Sequence, residues 1–120
     1  MSCVLRVTAP GLAAAAASLR MRPQRLDGDT GYFDVSAAGF DRLPQQIEDA
    51  VAFLRRHKAD VDALMSLPSA SGSLDFGVEN RQIPVPFGRL SPELVCLAGK
   101  AGLSLDVSFS ALAEVDRPDA

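Results

Sequence analysis

The chain predicts an α+β domain in two layers, a largely antiparallel sheet of about six strands with three helices on one face, in the order βαββαββαβ. Three observations lead there. Hydrophobic residues recur with period two in some segments and near 3.6 in others. Clusters of Gly, Pro, Asp and Ser fall where one period gives way to the next. The 120 residues are 48% hydrophobic, enough to bury one core without disulfides or metal. Residues 1–112 are read as a single domain and 113–120 as a polar C-terminal tail.

The first strand is Cys3 to Ala9, with Cys3, Leu5, Val7 and Ala9 on one side and Val4, Arg6 and Thr8 on the other, ended by Pro10-Gly11. Leu12 to Leu19 is alanine-rich and predicts a helix whose stripe is Leu12, Ala16 and Leu19. The methyls of Ala13 to Ala17 permit close approach of a neighbour. Gln24 to Leu26 and Tyr32 to Ser36 follow as a hairpin around Asp27-Gly28-Asp29-Thr30-Gly31.

Leu43-Pro44 starts the longest predicted helix, running to Met65. Leu43, Ile47, Ala50, Leu54, Val61, Leu64 and Met65 share one arc, with Glu48, Asp49, Arg55, Arg56 and Asp60 outside it. A loop over Leu67 to Gly72 leads to a strand in which Leu74, Phe76 and Val78 alternate with polar or small residues, and Asn80-Arg81 turns the chain. Ile83-Pro84-Val85-Pro86-Phe87 is read as an edge strand whose two prolines disable its outer ladder. Ser91 caps a helix, Pro92 fits its first position and Glu93 its positive end. Leu94, Leu97, Ala98 and Ala101 form its stripe, and Gly102 stops it in the left-handed conformation. From Leu103 the period is two, with Leu105, Val107 and Phe109 on the same face. The opening βαββαβ has a ferredoxin-like rhythm, although element order leaves strand order open.

Fifteen acids against twelve bases give a net charge of −3, which disfavours nucleic acid and anionic membranes as partners. Ten of the twelve cations are Arg and alanine is abundant, a bias read as that of a GC-rich bacterial genome. There is no basic leader, and Arg6 and Pro10-Gly11 break the apolar stretch from Val4 to Ala17, so a cytoplasmic location is expected. Cys3 and Cys96 are both read as small core hydrophobes.

His57, the single histidine, falls on the apolar arc near Phe53 and Leu54, and no nucleophile or carboxylate is set beside it by sequence. It is read as a core or helix-flank residue. Asp27, Asp29 and Asp34 fail the spacing of a calcium loop and are read as turn chemistry. Arg20, Arg22 and Arg25 form one basic cluster and Arg55, Arg56 and Lys58 another; either could hold a carboxylate or phosphate, and both are read as solvated faces. Phosphate-loop, dinucleotide, nucleophile-elbow and paired-cysteine motifs are absent, so no catalytic residue, metal or cofactor is assigned.

The stretch from Leu90 through Ser91-Pro92-Glu93 and Gly102 to Ser108 resembles the ending of small standalone bacterial domains of unknown function, some of them similar to immunity proteins of toxin systems. That resemblance covers about a sixth of the chain and implies no catalytic residues. The resulting expectation is a non-catalytic protein-binding module, of inhibitor or immunity type, that is a monomer or homodimer with an unidentified protein partner. Its expected surface is the wet side of the long helix, with Arg42, Arg55 and Arg56, plus the loop around Glu79 and Arg81. The alternative is a small-ligand-binding protein or weak enzyme using a cleft between sheet and helices, contacted by Arg20, Arg22, Tyr32 and His57.

Overall fold

A computed structural model of the chain describes residues 2–79 and 89–110. The α+β class is as expected. Described strands are β1 (Cys3–Thr8), β2 (Arg25–Asp27), β3 (Thr30–Ser36), β4 (Ser71–Glu79) and β5 (Ser104–Ser110). Described helices are α1 (Leu12–Ala16), α2 (Leu43–Arg56), α3 (Lys58–Met65) and α4 (Pro92–Ala101). The proline-containing strand expected at 83–87, the turn at 80–81 and the tail at 113–120 lie outside the described residues.

The sheet order is β2-β3-β1-β4-β5. β1 pairs antiparallel with both β3 and β4, β2 with β3 likewise, and β5 runs parallel to β4. The first four strands therefore carry the split βαβ arrangement that their order of elements hinted at, each βαβ pair separated by one antiparallel strand. Helix α4 and strand β5 extend that sheet by one parallel strand.

Alternation decides which face is covered. Cys3, Leu5 and Val7 of β1, Phe33 of β3, and Leu74 and Phe76 of β4 are buried with Leu12, Ile47, Leu54, Val61, Leu64 and Leu94 of the helices. Among the described residues the opposite sheet face is polar and largely open, although Ser73 is buried there with Arg6 donating to its hydroxyl at 3.4 Å. There Arg25 stacks over the Tyr32 ring at 4.2 Å, the Thr8 and Thr30 hydroxyls bond at 2.8 Å, and Ser108 donates to Asp75 at 2.8 Å. Solvated side chains on one face and apolar ones on the other are the usual economy of a two-layer domain.

Two helices differ from expectation. The arc predicted from Leu43 to Met65 is two helices, broken at His57, whose backbone leaves the helical region at φ −108°, ψ 26°. An unbroken helix of that length would span about 34 Å, while a seven-residue strand spans only about 23 Å. Bending lets Val61 and Leu64 stay over the core, with α3 touching both α1 and α4. Helix α1 stops at Ala16 rather than Leu19 because Ser18 Oγ donates to the Ala15 carbonyl and the next backbone bonds tighten to i→i−3. Of its alanines only Ala16 is buried outright, so close approach rests on one methyl rather than on the whole run.

The last helix–strand unit is as the sequence reads. Ser91 Oγ accepts from the Leu94 N–H at 3.1 Å, and Gly102 sits at φ 78°, ψ 21°. Ser91→Ala should cost about 1 kcal/mol in denaturant unfolding at unchanged slope.

Cys96 corrects its expectation: two positions beyond the buried Leu94, it points about 200° round the helix and is exposed. Cys3 is fully buried, and burial, followed by the charges of Asp75 and Asp49, pushes its thiol up to about 12. A thiol reagent should therefore modify one equivalent in the native protein, at Cys96, and the second only on unfolding; rapid modification of both would contradict the packing.

Candidate functional site

Among the described residues, the helical layer holds a groove and a smaller cleft. The larger, about 520 Å³, is a groove between α3 and α4 with Leu54, Val61, Met65, Leu97 and Ala101 along its apolar floor and Lys58, Asp62 and Lys100 on its rim. It exists because α3 departs from α2 at His57 and runs back beside α4, whose last turn is set by Gly102. Lys58 Nζ donates to Asp62 Oδ2 at 2.7 Å across one helical turn. Lys100 has no such pairing among the described residues, so the rim carries net positive charge in a chain whose total is −3.

On the α1 side of α3, Asp60 ties two segments of the chain together. Its Oδ2 accepts from the backbone N–H groups of Arg20 and Met21 at 2.9 and 2.8 Å, fastening the segment after α1 to α3. By sequence, Asp60 is only one more solvated acid of the helix. Its partners lie about forty residues away, and no local pattern announces them.

The smaller cleft, about 190 Å³, is lined by Val35, Asp49, Ala52, Phe53, Arg56 and His57. Here the imidazole, a guanidinium and a carboxylate share one stripe of α2 facing β3. The His57 ring packs on Phe53, centroids 4.7 Å apart. Asp49 is already engaged, accepting from Ser36 Oγ at 2.6 Å and Gln45 Nε2 at 2.9 Å. Asp49 and His57 are eight residues apart, about 12 Å along the helix axis, too far for direct proton transfer between them.

The other residues singled out by sequence are not gathered. Tyr32 points to the open sheet face with Arg25, whereas His57 lies in the helical layer. Arg20 and Arg22 are exposed after α1, where Arg20 contributes its backbone N–H to Asp60. Arg42 precedes α2 and Arg55 lies in its last turn, about 20 Å away by helical rise. Arg55 is paired with Glu93 of α4, and Arg56 lines the small cleft. Glu79 ends β4, its N–H bonded to the Phe40 carbonyl at 3.1 Å, and Arg81 lies outside the described residues. Among the described residues no three potential metal ligands are grouped, and no helix is long and apolar enough to cross a membrane.

No protein-family model, curated protein or solved structure matches the chain.

Proposed function

We propose that the protein is a non-catalytic binding module that holds a segment of another protein in the α3–α4 groove, as an inhibitor or immunity-type factor does. The groove's form carries this reading: an apolar floor open along two helices, rimmed by Lys58 and Lys100, suits an amphipathic segment with acidic flanks. Charge adds support, because the positive rim set beside an apolar floor attracts an acidic-flanked segment to this part of an acidic protein. The small-ligand alternative draws less support, since the cleft holding His57 is smaller than the roughly 300–1,000 Å³ common for ligand pockets.

Co-purification of the tagged chain from bacterial lysate, beside Lys100→Glu, tests the reading. The expected result is one stoichiometric protein retained by the native chain and lost from the variant. A native chain that retains none, or a partner indifferent to Lys100, overturns it.

A further inference from the structure

The two edges of the sheet are treated differently. β2, at one edge, is three residues long and carries Arg25 and Asp27, the short and charged form that resists further pairing. β5, at the other, is seven residues of Ser-Leu-Asp-Val-Ser-Phe-Ser, with no proline, no lysine and no irregularity in its ladder to β4. Among the described residues none pairs with its outer side. Its helix-facing residues become more exposed along the strand: Leu105 is half-buried, Val107 is 43% exposed and Phe109 is 54% exposed. Scattered apolar exposure is ordinary, but here it lies along an unguarded edge strand.

We propose that this edge is covered by β5 of a second copy, paired antiparallel about a two-fold axis through Val107. The strand is complementary to itself in that register. Leu105 meets Phe109 of the second copy, and Val107 meets its own equivalent, so the helix-facing side becomes continuous and apolar. On the open side Asp106 meets Ser108 of the second copy, a carboxylate opposite a hydroxyl. All seven residues overlap. Shifting the centre to Asp106 would set the two Asp106 carboxylates against each other, which like-charge repulsion disfavours. A closed two-fold pairing also consumes the edge completely, leaving no template for open-ended growth. This surface is distinct from the α3–α4 groove, and the inference stands independently of the function proposed for it.

Sedimentation velocity over several decades of concentration tests the inference on the full chain. The native protein should show a concentration-dependent dimer. Val107→Lys and Val107→Glu should each sediment as monomers, because each sets like charges against themselves on the axis, and their equimolar mixture should recover the dimer. Phe109→Ser, at the exposed strand end where folding depends on it least, should weaken association with an unchanged circular dichroism spectrum. A native chain that stays monomeric, a dimer unaffected by either charged variant, or a mixture that fails to recover association overturns the proposal.

Discussion

Gln46→Ala should lower stability by about 2–4 kcal/mol, combining two lost buried hydrogen bonds with a cavity. Gln46 is fully buried in the first turn of α2. Its Nε2 donates to the carbonyls of Gly39 and Gly77 at 3.0 and 2.9 Å, joining the turn before α2 to the end of β4. The amide orientation follows from the partners: both are acceptors, so the nitrogen must face them. The junction is tight, because a Cβ on Gly77 would come within 3.1 Å of the Phe40 ring and the Ser2 carbonyl. Among the described residues Oε1 has no partner, so the side chain's contribution comes through its nitrogen.

Gln46→Met keeps the volume and discards the bonds, so urea unfolding of the Ala and Met variants separates packing from polarity. Gln46→Glu adds a pH signature. Its carboxylate would face two carbonyl oxygens in a dry site, so the folded pKa rises above the unfolded value of about 4.3. For a raised folded pKa, the stability of the protonated form is present below about pH 4.3 and is lost as pH climbs through the folded value. Unfolding midpoints for this variant should fall with rising pH relative to the native chain. A flat difference would contradict the geometry.

Phe76→Ala is expected to be as damaging, at about 3–5 kcal/mol. Phe76 is fully buried on β4, with Cys3 of β1 and Val107 of β5 as its neighbours across the sheet. A small domain has only about 5–15 kcal/mol in total, so this change removes a large share. Cys3 provides a second readout. When its modification requires unfolding, a loss of about 3–5 kcal/mol should accelerate labelling by roughly two to three and a half decades, while Cys96 labelling stays as it was. Acceleration of Cys96 instead would show that the damage had moved to α4.

Local signals were legible wherever neighbours in sequence settle the matter. The Ser91 cap and the Gly102 stop depend on residues one turn away, and both are as expected. Alternation in β1 separates buried from wet side chains because successive residues of any strand face opposite ways, and in β4 it holds for Leu74, Asp75 and Phe76, while Ser73 is buried on the other face. Gln46 was passed over as a polar residue, although three residues after Leu43 and four before Ala50 it falls on the arc that is buried. Cys96 was misjudged by composition, although helical phase from Leu94 already turns it outward.

Amphipathic period, caps and turn residues are properties of short stretches, and they determined the α+β class and most elements of this protein. Tertiary packing alone decided the break at His57 and with it the α3–α4 groove, the order β2-β3-β1-β4-β5, and the hold of Asp60 on the segment after α1. The reason is physical: an isolated amphipathic helix has no limit on its length, whereas one laid on a sheet must bend where the strands end to keep its apolar side chains out of water.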